Sequence, residues 1–163
     1  MIRRNVLIGT ALAGSALIRP AVAKDTGGSR SVADPFATTL SAHDIAAFAS
    51  LFAEDYVNHQ ISAAAPPPPA GKTPKQATVG FFAARLAGIP DLRVAIEAVV
   101  ASPDRVAASF VYTGTHGGPL YGVAPTGRSL RFTSCDIFRL REGVIVEHWG
   151  MGDIAGVLAQ IRA

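Results

Sequence analysis

Apolar and polar residues alternate through residues 129–140. Leu130, Phe132, Ser134, Asp136, Phe138 and Leu140 fall on one side, and Arg131, Thr133, Cys135, Ile137 and Arg139 on the other. This is the period-two pattern of a strand with one buried face. A second strand, 144–150, follows Arg141-Glu142-Gly143, where Gly143 suits the left-handed position of a three-residue loop with a bulge. With that loop Leu140 faces Val144, Phe138 faces Val146, Asp136 faces His148 and Ser134 faces Gly150. A two-residue turn instead sets Asp136 opposite Trp149. Two earlier strands read as clearly: 92–101 through Leu92, Val94, Ile96, Ala98 and Val100, and 105–115 through Val106, Ala108, Phe110, Tyr112 and Gly114. Helical spacing marks 35–40, then a break near Ser41, then a stretch from His43 or Asp44 to Ala53 with Ile45, Phe48, Ala49 and Phe52 aligned. Residues 54–59 read as its polar exit. Another helix runs from Thr73-Pro74 to about Leu86 with Val79, Phe82, Ala83 and Leu86 as its apolar side, and Asp153 caps a short last one. Asp34-Pro35 has the form of an N-cap with proline at the first helical position. Helices first and antiparallel strands after give an α+β fold. Four long twisted strands curled around the N-terminal helices make a cone-shaped, curved antiparallel sheet.

The first 23 residues fall outside that pattern. Arg3 and Arg4 precede an apolar run at 6–18, and Ala21-Val22-Ala23 forms a small-residue cleavage site, the plan of an export signal. The run is too short to span a bilayer, so no stable membrane anchor is expected once the signal is cleaved. The paired arginines point to the twin-arginine route and a periplasmic or extracellular location. Residues 24–33 then read as a flexible linker and 34–163 as a single domain. The chain has 163 residues, with 15 basic and 12 acidic, and a pI near 9.4. Three of the basic residues and none of the acids lie in the leader, so the remainder is balanced. No basic stripe is left to neutralise phosphates, which excludes nucleic acid as a partner. The single Cys135 permits no internal disulfide and reads as a structural thiol.

Candidate chemistry gathers on the inner face of the strands. A carboxylate on an apolar face must be paired or shift its pKa, and His148 is the partner that the hairpin offers Asp136. Such a pair serves as a general acid/base, or equally as a buried polar contact that fixes strand register. Tyr112 and His116 share the parity of Phe110, and His116, beside glycines, can reach a pocket rim. The other face carries Arg131, Arg139, Glu147 and Trp149. Residues 63–71 include four consecutive prolines and read as an extended spacer, placed as a rim or lid over a site. Scattered histidines without HExxH spacing make a poor metal signature, and the chain has no GxSxG, P-loop or GxGxxG motif. The reading therefore needs neither metal nor cofactor.

The run GTHGG at 114–118, GVAPTGR at 122–128 and DIFRLREGVIVEHW at 136–149, with Asp153 close behind, resembles the SnoaL-like polyketide cyclase (ester cyclase) family. That family shares the nuclear transport factor 2 fold. The likeness extends through LFAEDYVNH at 51–59 and IPDLRV at 89–94. It implies a pocket with Tyr56 and His59 at its mouth and a homodimer through the convex sheet face. It also implies cofactor-free acid/base catalysis, in which a proton leaves a carbon alpha to a carbonyl and an intramolecular aldol closes a ring. In such cyclases a catalytic carboxylate stands on the last strand, and the matching position here is Gly150. Asp136, His148 and His59 are thus the catalytic candidates. Tyr56, Phe110, Tyr112, His116, Phe132, Phe138 and Trp149 are the candidates for contact with a hydrophobic small molecule. Three readings stand: an acid/base enzyme acting on a hydrophobic carbonyl or ester-type compound, a non-catalytic binder using the same pocket, and a dimer whose core is filled.

Overall fold

The computed structural model describes residues 32–60 and 67–163. The expected leader, most of the expected linker and the first residues of the proline-rich spacer lie outside them. The elements are α1 (Ala33–Ser41), α2 (Ile45–Ser50), β1 (Phe52–Asn58), α3 (Pro74–Gly88), β2 (Arg93–Ala101), β3 (Arg105–Thr115), β4 (Ser129–Arg141), β5 (Val144–Gly152) and α4 (Ile154–Arg162). Val32 and Ala33, read from the sequence as the end of the linker, are fully buried, and Ala33 opens α1. Val32 is the N-cap and Asp34 lies inside the first turn, where its charge meets the positive end of the helix dipole. The break between α1 and α2 is a sharp turn in which His43 takes φ 59°.

The sheet is five-stranded in the order β1-β5-β4-β3-β2, antiparallel except for β1, which runs parallel to β5. It is therefore mixed, not purely antiparallel. The stretch expected as a helix end and its polar exit is the edge strand β1. Phe52 and Tyr56 are its buried residues, and their four-residue spacing is equally that of a helical face. Leu51 and His59 tie its ends to the neighbouring strand through Ile145 N–H to Leu51 O at 2.8 Å and His59 N–H to His148 O at 2.8 Å.

The hairpin β4–β5 turns on two residues, not three. Glu142 and Gly143 both take positive φ, 53° and 83°, which closes a tight turn between paired Arg141 and Val144. Leu140 pairs with Ile145 and Arg139 with Glu147, so Val146 is an extra residue in a bulge. Beyond it Phe138 pairs with His148, Ile137 with Trp149 and Asp136 with Gly150. Beyond the bulge the expected partners are thus displaced by two residues, which leaves those side chains on their expected faces. On the turn side Leu140 meets Ile145 in place of Val144, and Val144 shares the outer face with Arg141.

All the described helices have buried faces, and α1 supplies the centre of the core. Phe36 is fully buried, with ring centroids 4.9 Å from Phe110, 5.3 Å from Phe138, 5.2 Å from Phe48 and 5.5 Å from Phe82. Each such aromatic pair adds about 0.5–1.5 kcal/mol beyond its buried area. Helix α3 begins with a capping box, Thr73 with Gln76, and with Pro74 in the first turn. Its buried face carries Thr78, Phe82, Arg85 and Leu86, displaced from the expected Val79, Phe82, Ala83 and Leu86. On the outer face of the sheet Val100, Ile137 and Met151 are exposed, as is the thiol of Cys135. No described helix is long and apolar enough to cross a membrane.

Candidate active site

Asp136 points inward from the middle of β4 and is 5 % exposed; His148 on β5 is 3 % exposed. Gly150, not His148, stands directly opposite Asp136, so the two side chains meet on the diagonal of the ladder, within reach of long groups. Asp136 Oδ1 lies 2.8 Å from His148 Nε2, and Asp136 Oδ2 accepts the Ser134 hydroxyl at 2.5 Å. The diagonal is open because Gly150 has no side chain. A Cβ there would lie 2.4 Å from Asp136 Oδ1 and 2.5 Å from His148 Nε2, closer than real contacts allow.

The chain of hydrogen bonds continues on both sides of this pair. His148 Nδ1 is 3.2 Å from Tyr56 Oη, Thr78 Oγ1 is 3.4 Å from Tyr56 Oη, and Asn58 Nδ2 is 3.4 Å from Thr78 Oγ1. In the other direction Ser134 Oγ lies 3.3 Å from Tyr112 Oη. Burial raises both phenol pKa values well above their usual range. The Thr78 hydrogen bond opposes this at Tyr56 and the Arg85 charge at Tyr112, while the Asp136 charge reinforces it at both. Both phenols therefore remain protonated donors at neutral pH. An ionised Asp136 favours the tautomer with hydrogen on Nε2, which leaves Nδ1 as the basic nitrogen, covered by Tyr56.

This network opens onto a cleft of about 350 Å³. Val57, Asn58 and Gln60 from the end of β1 form one wall, and Thr78, Phe81 and Phe82 from α3 form another. Pro67, Pro68 and Pro69 make the rim with Lys72, and His148 is the only member of the acid/base pair that lines the cleft. The volume and the mix of apolar walls with a few convergent polar groups suit a small-molecule site. Among the described residues no three metal-ligating side chains converge.

Several candidates lie elsewhere. His59 is on the outer side, where its ring stacks on Trp149 at 4.4 Å and its Nε2 is 2.8 Å from Glu147 Oε2. Alternation along β1 explains this: Tyr56 and Asn58 face in, so residue 59 faces out. Trp149, paired with Ile137, shares that outer face. Hydrogen bonds from His59 and then Arg139 hold the Glu147 carboxyl below the usual carboxylate range. His116 is fully buried at the far end of β3, its Nδ1 2.9 Å from Thr126 Oγ1, and does not reach the rim of the cleft. Phe110 and Phe138 pack on Phe36, Phe138 also backing the His148 ring at 5.1 Å, while Tyr112 stacks flat on Phe132 at 4.9 Å. None of these four lines the cleft, because the core aromatics occupy the space. Tyr56 does not line the cleft itself but bridges two residues that do, His148 and Thr78. The sequence reading missed Thr78, Asn58, Ser134 and Arg85 as members of the network. Their signal was polar residues at helical or strand spacing with buried apolar ones: Thr78, Phe82 and Arg85 on α3, and Ser134 between Phe132 and Asp136.

A family model for SnoaL-like polyketide cyclase matches residues 31–161. No curated protein sequence matches the chain. Among solved structures, IdmH from Streptomyces antibioticus, a proposed polyketide cyclase, is 30% identical with a TM-score of 0.68, over 81% of this chain and 96% of that one. A proposed SnoaL-like polyketide cyclase from Jannaschia sp. CCS1 is 22% identical with a TM-score of 0.65, covering 81% and 90%. AclR from Streptomyces galilaeus, a proposed hydroxylase, is 23% identical with a TM-score of 0.67, covering 80% and 92%.

The space at Gly150 yields a direct test. Gly150→Ala forces Asp136 and His148 apart, at a cost of about 1–3 kcal/mol for overpacking. The imidazole nitrogen resonances of His148 will shift in the variant, and denaturant titration will show the loss of stability. Unchanged resonances and unchanged stability would mean that the contact does not depend on a glycine there.

Proposed function

The chain belongs to the SnoaL-like polyketide cyclase family, and from that premise we propose that it is a cofactor-free acid/base enzyme acting on a hydrophobic carbonyl or ester-type small molecule. The observation that carries this reading is the buried Asp136–His148 pair, whose imidazole lines the cleft while the carboxylate lies behind it. His148 Nδ1 is the base. Its contact with Tyr56, at 3.2 Å, is the looser of its two, and loose apo contacts that tighten on binding are common at active sites. A carbonyl compound whose α-carbon takes that place gives its proton to Nδ1, and the electron pair moves onto the carbonyl oxygen as an enolate. Asp136 stabilises the imidazolium. Tyr56, Thr78 and Asn58 offer donors to the enolate oxygen. The imidazolium then returns its proton to another carbon, completing an isomerisation. Alternatively the enolate carbon attacks a second carbonyl and the resulting alkoxide takes the proton, completing an aldol ring closure. The carboxylate that the family resemblance implies at position 150 is absent, but a side chain there would collide with Asp136 and His148. Asp136 from the neighbouring strand supplies a carboxylate in that same space.

A second reading, ligand binding without turnover, is favoured by one observation: both ring nitrogens of His148 already have partners. Thermal-shift screening with hydrophobic carbonyl compounds, followed by mass spectrometry of the incubated mixtures, separates the two. Turnover is the outcome expected here. For the pair itself, Asp136→Asn and His148→Gln should each cost about 1–3 kcal/mol of stability and reduce activity or affinity. The double variant should lose clearly less than the sum. Additive, near-neutral variants would remove the acid/base reading.

We further propose export and self-association. The export reading is supported by the basic, apolar and small-residue order of the first 23 residues. Protein recovered from an exported fraction should begin at or near Lys24, and replacing Arg3 and Arg4 by lysine should block export. A cytoplasmic protein still starting at Met1 would refute this. Homodimerisation through the outer sheet face is supported by the exposure of Val100, Ile137 and Met151 there. Sedimentation should give a dimer for the native chain and a monomer for Ile137→Lys; a native monomer at micromolar concentration would sink the claim.

A further inference from the structure

Arg85 is a buried cation for which the described residues provide no anion. It is 4 % exposed, and among the described residues no carboxylate lies within ion-pair distance of it. Its guanidinium carbon sits 4.8 Å from the Phe81 ring, 5.0 Å from Phe82, 5.1 Å from Tyr112 and 5.4 Å from Phe132. Among the described residues its guanidinium meets only neutral phenol oxygens, Nη2–H donating to Tyr121 Oη at 3.4 Å with the Tyr112 hydroxyl also beside it, and the buried Nε has no partner. Arginine does not escape this situation by losing its proton. Aromatic faces offset part of the desolvation, but neutral phenol oxygens and an unpartnered Nε leave the charge under-satisfied. The group that fits a planar guanidinium fork is a carboxylate, through two parallel hydrogen bonds.

Tyr121 is the hydrogen-bonded neighbour of Arg85 that comes from a surface turn. Tyr121 is half-buried on a surface turn, where it and Gly122 take φ 49° and 77° between the bridged residues Leu120 and Val123. Phe81, 6.5 Å from the Tyr121 ring, belongs to both places: it lines the cleft and lies under the guanidinium. Arg85 and Tyr121 do not themselves line the cleft; Phe81 is the side chain that joins them to it, and rotation of Tyr121 is the movement that a subsite there requires. Thr78 and Arg85 lie on the same buried face of α3, and seven residues of helix rise separate them by roughly 10 Å.

We infer that Arg85 is a carboxylate-binding subsite of the cleft, occupied by Tyr121 when no ligand is bound, and that the ligand class is a ring-bearing carboxylic acid. Its acid group sits on Arg85 in place of the tyrosine hydroxyl, its apolar body runs along Phe81, and its far end reaches Thr78 and His148. This rests on the cleft being the small-molecule site proposed above.

Biphenyl-4-carboxylate and biphenyl-4-carboxamide have the required length and the same shape, and differ in charge. Titration calorimetry of the native chain should show the acid binding at least about tenfold more tightly than the amide. Arg85→Gln should abolish that preference while leaving amide affinity in place. Tyr121→Phe, a half-buried change on a surface turn that leaves Arg85 intact, should keep the preference and tighten the acid by removing its competitor. Equal affinity of the native chain for acid and amide would overturn the subsite and leave the cleft standing. If neither compound binds, both the subsite and the small-molecule reading fall. A preference that persists in Arg85→Gln would place the anion elsewhere.

Discussion

Asp136 faces inward from the middle of β4, between Ser134 and Phe138, and the polar groups inside the sheet are arranged around its charge. The imidazole that meets it arrives from the next strand only because that strand carries one extra residue. If the pairing set by the Glu142-Gly143 turn ran on unbroken, Asp136 would oppose Trp149 and His148 would point outward. The bulge at Val146 restores the phase, and it does so with little loss of apolar burial, since Ile145 and Val146 are both buried. A displacement of two residues then leaves His148 diagonal to Asp136, with residue 150 between them. Glycine is the residue type that leaves that space free. A tight turn, a bulge and a missing side chain thus converge on one 2.8 Å contact.

The faces of the strands, and the meeting of Asp136 with His148, were legible because alternation carries face information residue by residue. The partners across the ladder were not, because turn length and bulge act together and only their sum is visible in the pairing. Strand β1 was hidden for a different reason. Phe52 and Tyr56 fit a helix or a strand alike, and β1 is held by parallel pairing to residues some ninety positions away. His59 was placed at the pocket mouth by the resemblance alone, and the strand sets it on the side opposite Tyr56. The filling of the interior was equally beyond reach. Nothing local in α1 says that Phe36 seats among four other rings, and this seating removes Phe110 and Phe138 from the cleft. On α3 a shift of the buried stripe by one position exchanged Val79 and Ala83 for Thr78 and Arg85, which replaced two apolar residues with two members of the polar network.

Structures named for cyclisation and for hydroxylation share this fold at low identity, so the scaffold alone leaves the reaction open. What decides the chemistry is the placing of charge on the inner face. In this chain a carboxylate and a guanidinium are both buried, yet they form no ion pair with each other. Ser134 and Tyr112 stand between them, and Tyr112 stays neutral because burial holds its proton. A direct Asp–Arg bridge would satisfy both groups and leave neither available to a ligand. Neutral hydroxyls bind each charge less completely, so the carboxylate remains free to orient His148 while the guanidinium keeps unused donors. The interior is therefore polarised along a line from Asp136 to Arg85. On the proposed reading, a ligand lying beside that line meets a base near one end and an anion receptor near the other.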